Sequence, residues 1–314
     1  MLTIYRIGKG SLEQVNEADL VADDSESYWF DLQDPTTDDR RRIEQARGIH
    51  LPLVTDVSEI EATSRFFADE NSIHMRVWFL EQNGEELERH PVAFVLTRNC
   101  LVSMAWGRIS IFDALRAAHK TGRHSDKPSV VLIRLLELYL DRIADYLERY
   151  YDQIESHWVW EDDVTQDALD RQMKQIVQLS NNKHKVRFVL MDLQQIMSGL
   201  QREGLVPRGL KTRFLGLQRD LSSLLQHSDF ISEKLDFLMN MQISRLTMID
   251  NRVGKILSVV ALVFLPPTLI AAIYGMNFHH MPELDMPWAY PAALGAMLVS
   301  AVVPYLIFKW KRWL

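Results

Sequence analysis

The chain has 314 residues, with 35 basic against 42 acidic side chains, a net charge of −7, and 47% hydrophobic and 25% charged residues. These globular proportions exclude a disordered or low-complexity chain, and the acidic balance gives no support to nucleic-acid binding. A single cysteine, Cys100, excludes a disulfide framework and a Cys-rich zinc module.

Residues 1–108 read as mixed α/β. WFDL at 29–32, HMRVWFL at 74–80, VAFVLT at 92–97 and CLVSMAW at 100–106 are β-branched or aromatic runs bounded by turn residues, which predicts strands. Between them, Thr37 to Arg47 and Thr55 to Ala62 read as short helices. From about residue 129 the period changes. Ile133, Leu136, Leu140, Ile143, Leu147, Tyr150 and Ile154 alternate spacings of three and four, a long amphipathic helix. Glu161, Asp162 and Asp163 mark a turn, and a second long helix runs to about Arg202. Gly204, Pro207 and Gly209 then break the chain. A third helix begins near Leu210, with a seam of Phe214, Leu217, Leu221, Leu224, Ile231, Leu235 and Leu238. Nothing interrupts it between Leu217 and Arg252, so it is predicted to run on into the apolar tail as a stalk of roughly 100 Å. Alone it cannot bury its seam, and partner subunits are expected to cover it.

Charge is unevenly spread. Residues 253–314 carry Lys255, Lys309, Lys311 and Arg312 against Glu283 and Asp285, a net of +2, leaving −9 on the first 252. Ile256 to Tyr274 is a run of 19 residues without a charge, and a second apolar stretch spans Trp288 to Phe308. A helix of about 20 residues crosses the roughly 30 Å hydrocarbon layer, so two spans are predicted. Pro266 and Pro267 would break a soluble helix but are tolerated in a membrane helix. Arg252 and Lys255 precede the first span, while Lys309, Lys311 and Arg312 interleave with Trp310 and Trp313 after the second. By the positive-inside rule both termini lie in the cytoplasm and Gly275–Pro287 lies outside. No export signal is read in MLTIYRIGKG. The expected organisation is an α+β membrane protein: a cytoplasmic α/β domain over 1–128, long helices and stalk over 129–252, and a two-span domain over 253–314 with an outer loop at 275–287.

Catalytic and nucleotide-binding motifs are missing from the sequence: no Walker loop, Gly-x-Gly-x-x-Gly, Gly-x-Ser-x-Gly or His-Glu-x-x-His occurs. The ten histidines are scattered except for His279–His280, and one such as His184 is read as a surface or structural residue. An enzyme is not expected, nor is a resident cofactor.

The end of the first span reads Tyr274-Gly275-Met276-Asn277-Phe278, followed by His279-His280-Met281-Pro282-Glu283-Leu284. This resembles the CorA family of magnesium transporters, whose signature is Tyr-Gly-Met-Asn followed by a Met-Pro-Glu-Leu loop. Phe264-Leu265-Pro266-Pro267-Thr268, Pro304-Tyr305 and the closing Lys-Arg-Trp-Leu extend the likeness, and Glu59-Ile60-Glu61-Ala62 with Arg65-Phe66-Phe67 is similar to the enterobacterial branch. The resemblance implies a homo-oligomer of five subunits in a bacterial inner membrane, conducting Mg²⁺, and to a lesser degree Co²⁺ or Ni²⁺, down existing gradients. It implies that Asn277 offers side-chain oxygens and Gly275 backbone carbonyls to a hydrated ion at the outer mouth. Mg²⁺ releases its waters reluctantly, so neutral oxygens suit it.

Stepping back from Gly275 at helical spacing gives Ala272, Thr268, Leu265, Ala261, Leu257, Gly254 and Asn251. In the resembled family these positions line the pore, with Thr268 and Asn251 as polar stations and Leu257, Leu265 and Gly254 at the hydrophobic gate. Small-residue helix packing explains the same stripe. Gly254 stands where many relatives carry methionine, so the gate rests more heavily on Leu257. Glu283, Asp285, His279 and His280 belong to the outer mouth. The histidines stand where relatives often have Glu-Phe or Glu-Tyr, and imidazoles suit zinc, nickel or cobalt better than magnesium. Surface histidines in a loop are the plainer reading of the pair. A zinc transporter of the ZntB type, which shares the fold and Gly-Met-Asn but usually lacks Met-Pro-Glu-Leu, is the alternative function. In some members of the resembled family carboxylates between subunits of the soluble domain sense internal Mg²⁺; the sequence does not place them here, and Asp220 and Asp229 on the stalk are nominal candidates. Mg²⁺ is expected as substrate and regulatory ligand, with lipid and further copies of the chain as partners.

Overall fold

A computed structural model describes residues 1–8, 11–15, 26–57, 65–119, 127–156, 166–277 and 281–311. The chain divides into two compact units, Met1–Phe237 and Leu238–Leu314.

The first unit is built on a seven-stranded sheet in the order β2-β1-β3-β7-β6-β5-β4. The strands are β1 (Leu2–Gly8), β2 (Ser11–Val15), β3 (Ser27–Gln33), β4 (Phe66–Ala68), β5 (Ile73–Asn83), β6 (Glu86–Leu96) and β7 (Cys100–Ala105). All neighbours are antiparallel except β3 and β7. Strands alternate their side chains between two faces. One face of Tyr28, Phe30, Leu32, Ala93, Val95, Val102 and Met104 buries Ile43 of α1 (Thr37–Arg47). That helix begins at a Thr36 capping box closed by Asp39, which supplies orphan amides with partners. On the opposite face Phe79 of β5 stacks on Tyr139 with ring centroids 3.9 Å apart and on Phe112 at 6.0 Å. Phe112 lies on α3 (Ser110–His119) and Tyr139 on α4 (Pro128–Ser156). The Tyr139 hydroxyl accepts from the Leu80 amide at 2.9 Å and donates to the Trp78 carbonyl at 3.0 Å, fixing α4 to the strand backbone.

The four sequence-predicted strands appear as β3, β5, β6 and β7. The helix predicted over 55–62 is represented by α2 (Val54–Val57); the rest of that stretch lies outside the described residues, as do Glu161, Asp162 and Asp163. Four elements carry no signal in the reading above: β1, β2, β4 and α3.

The helical predictions hold in α4, α5 (Gln166–Arg202) and α6 (Lys211–Tyr274). One expectation is corrected. Phe214, Leu217, Leu221, Ile231 and Leu235 of the α6 seam are buried within a single chain, so partner subunits are not needed to cover them. The chain's own helices tie α6 down: Arg213 donates to Glu137 of α4, Lys183 of α5 donates to the Ser232 hydroxyl at 2.7 Å, and Arg187 of α5 pairs with Asp229. The third helix thus closes an antiparallel helical layer with its own predecessors.

In the second unit α6 continues through Pro266 and Pro267 to Tyr274, a 3-10 turn covers Pro282–Asp285, and α7 spans Ala289–Trp310. Both apolar helices are long enough to cross a membrane and almost none of their apolar windows is buried.

Candidate ion pathway

The apolar stretch of α6 presents an oily surface to its surroundings: Leu257 is 64% exposed, Leu265 67% and Leu269 58%. Side chains of this kind, unshielded along two helices, need lipid or further protein around them.

Asn251, Gly254, Leu257, Ala261, Leu265, Thr268, Ala272 and Gly275 follow one another along α6 in steps of three and four. From Asn251 to Gly275 the stripe runs 24 helical steps, about 36 Å at the helical rise. Every member is exposed, and a Cβ added at Gly254 would meet nothing within 4 Å. Hydroxyls in the span are bonded back into the helix. Thr268 donates to the Phe264 carbonyl at 2.7 Å, and Ser258 to the Gly254 carbonyl at 2.8 Å. That bond consumes the Thr268 proton and leaves its oxygen lone pairs outward, the polarity a cation's water requires. Pro266 and Pro267 lack the amides that would bond the Leu262 and Val263 carbonyls, so oxygen acceptors concentrate at this level of the helix.

The helix stops at the signature. The Gly275 amide donates to the Ala271 carbonyl at 2.9 Å and the Met276 amide to the Ile273 carbonyl at 3.3 Å. A Cβ at Gly275 would come within 3.1 Å of the Ala271 oxygen, so glycine lets this last turn tighten. Asn277 follows as exposed, non-helical chain. The 3-10 turn places Glu283 and Asp285 in the exposed loop before α7. His279 and His280 lie outside the described residues. Among the described residues no group of three or more His, Cys, Asp or Glu side chains is gathered as a metal site. The oxygens at the end of α6 are neutral.

The remaining sequence candidates sit in the first unit. Asp229 is held by Arg187. Asp220 lies close enough to Asp141 of α4 to help raise that carboxyl's pKa, an effect dominated by burial and then by Glu137. A buried ion pair escaped the sequence reading. Asp192 of α5 lies 3.5 Å from Arg65, and burial pushes its carboxyl up to about 6 despite that cation. No local spacing links residues 127 positions apart, so no sequence signal pointed to it.

The sequence profile of the CorA-like Mg²⁺ transporter protein family matches residues 24–312. The magnesium transport protein CorA of Salmonella typhimurium (strain LT2) is 32% identical over 320 residues, covering both chains in full. Among solved structures, the complete CorA magnesium transporter of Methanocaldococcus jannaschii superposes with a TM-score of 0.79 at 18% identity, over 100% of this chain and 99% of that one. The cytoplasmic domain of ZntB from Vibrio parahaemolyticus superposes with a TM-score of 0.61 at 11% identity, over 78% of this chain and 98% of that one.

Proposed function

The chain belongs to the family of CorA-like Mg²⁺ transporter proteins, and we propose that it carries Mg²⁺ inward across a bacterial inner membrane through a pore formed by several copies of α6. The observation that carries the proposal is the end of α6: an exposed stripe, apolar at Leu257 and Leu265 and polar at Thr268, that finishes in the neutral oxygens of Gly275 and Asn277. Two spans per chain cannot enclose a pore, and closed cyclic symmetry supplies the missing walls. Five copies are the number the family resemblance implies.

Each step follows from charge and hydration. Glu283 and Asp285 raise the local cation concentration at the mouth. Carbonyls of Gly275 and the Asn277 amide oxygen, repeated round a ring, receive the ion with its waters attached, since stripping Mg²⁺ is costly. Thr268 offers oxygen lone pairs part-way down, and Asn251 does the same at the inner end. Leu257 and Leu265, one from each copy, make apolar rings that block ions when they close and dewet. Existing potential suffices as the driving force: about 2.3 kcal/mol per charge per 100 mV, twice that for a divalent ion. Both termini are cytoplasmic in this reading.

Co²⁺ and Ni²⁺ are proposed as lesser substrates. The alternative is a zinc carrier, favoured by His279 and His280 in the mouth loop, whereas Met281-Pro282-Glu283-Leu284 speaks for magnesium. Flux of Mg²⁺, Co²⁺, Ni²⁺ and Zn²⁺ into proteoliposomes, with and without a proton gradient, separates these readings. Mg²⁺ influx that follows the imposed potential and ignores the proton gradient is expected. Zn²⁺ influx that requires the proton gradient, without Mg²⁺ flux, would replace magnesium by zinc.

A further inference from the structure

The second unit segregates its charge in a way the ion pathway does not use. Its described carboxylates are Asp250, Glu283 and Asp285, and the latter two belong to the mouth loop. Arg252 and Lys255 stand on α6 one turn apart, just before the apolar run, and Lys309 and Lys311 close α7 around Trp310. All four cations are exposed and Trp310 is 85% exposed. None of the four pairs with a carboxylate among the described residues. Asp250 lies two residues before Arg252, about 200° round the helix from it, and so does not neutralise this face.

A helix dipole explains Lys309 and Lys311, which sit at the C-terminal end of α7. It does not explain Arg252 and Lys255, which lie in the interior of a 64-residue helix where no terminus attracts a cation. Depth explains both pairs. Lys255 precedes Gly275 by 20 residues and Lys309 follows Ala289 by 20, so each is about 30 Å of helix from the loop side. On the membrane reading, on which this inference rests, the two pairs meet the same headgroup layer, with Trp310 at the interface.

We propose that Arg252, Lys255, Lys309 and Lys311 form a binding site for the phosphodiester headgroup of an anionic glycerophospholipid, bridging the outer surfaces of α6 and α7. Four unpaired cations match a lipid with net negative charge. A zwitterionic headgroup brings its own cation and gains little from them. Lys side chains reach the phosphates by laying their methylene stems along the acyl boundary. Bound lipid would staple the inner ends of the two spans, the region that contains the Leu257 gate.

The test uses the full-length protein in mixed phosphatidylcholine and phosphatidylglycerol, with retained lipid counted by native mass spectrometry. Wild type should retain phosphatidylglycerol in excess of its share of the bath, and raising salt from 50 to 500 mM should remove that excess. Each lysine exchanged in Lys255→Gln, Lys309→Gln and Lys311→Gln should weaken retention by about fivefold. Retention in proportion to the bath, or selectivity unmoved by salt or by the triple exchange in a normally assembled oligomer, overturns the site. The readout needs no ion flux, so lipid selectivity in a protein that carries no Mg²⁺ would leave this site standing and remove the transport reading.

Discussion

Asn277 carries the most specific demand on a single side chain. It is exposed, immediately beyond the last turn of α6, in the second compact unit. Asn277→Ala should therefore assemble normally, as read by size-exclusion chromatography in detergent, while Mg²⁺ influx falls to background. Asp192 makes a different demand. Burial raises its carboxyl to about 6, above the ordinary 3.8, so the folded state favours the protonated form. The linked stability is full below the ordinary value and is lost as pH rises through about 6. The shift corresponds to roughly 3 kcal/mol at most. Between pH 7.5 and 5 the wild-type melting temperature should gain on that of Asp192→Asn; parallel curves would show that the carboxyl does not titrate there. Asp69 acts in the opposite sense. Its bonds from the Ser72 hydroxyl and the Asn71 amide lower its pKa, so its contribution is present at neutral pH and disappears only in strong acid.

At the scale of elements, α5 and α6 set the tolerances. Gly199 of α5 lies against Phe66 of β4 so closely that an added Cβ would stand 2.6 Å from the ring. Gly199→Ala should destabilise the first unit by about 1–3 kcal/mol, visible as a lower melting temperature. Gly254 is its counterpart in open space. Gly254→Met should fold normally and narrow the gate, reducing Mg²⁺ influx while Leu257→Ala increases it; equal fluxes for both would remove the gate from this turn of α6. Much of this architecture was legible from local pattern. The α4 seam from Ile133 to Ile154 is buried as its spacing requires, and β3, β5, β6 and β7 coincide with apolar runs. Strand β2 was not legible because Ser11, Glu13 and Gln14 interrupt it, whereas β1 carries a strand-like run in Ile4, Tyr5 and Ile7 that was not predicted. Arg6 and Glu13 face each other across that pair at 2.7 Å, a register only the folded hairpin supplies. Three-residue β4 is too short to carry a period. The α6 seam was legible as apolar, but what covers it was not, because tertiary partners leave no local signature. Gly275 and Asn277 were legible for another reason: their tripeptide is a chemical signature that resembles a known family, and periodicity alone would have given only a helix end.

For the whole molecule, charge is divided between an acidic first unit and the basic residues Arg252, Lys255, Lys309 and Lys311 flanking the two apolar helices. Oligomerisation would bring carboxylates of several copies together, and like charges at short range favour a neutralising cation. Asp220 of α6 and Asp141 of α4 lie in one such acidic neighbourhood, in which Glu137 is already paired with Arg134 and Arg213. Internal Mg²⁺ raised from micromolar to tens of millimolar should slow uptake; an unchanged rate would remove this feedback. The central claim, a Mg²⁺ pore ending at Asn277, has one most direct test. Purified wild type and Asn277→Ala are placed in proteoliposomes loaded with a Mg²⁺ indicator, and an inside-negative potential is imposed. The account predicts prompt Mg²⁺ influx through wild type that scales with potential and background influx through the assembled variant. Equal influx through both, or no influx through wild type assembled as an oligomer, would contradict it.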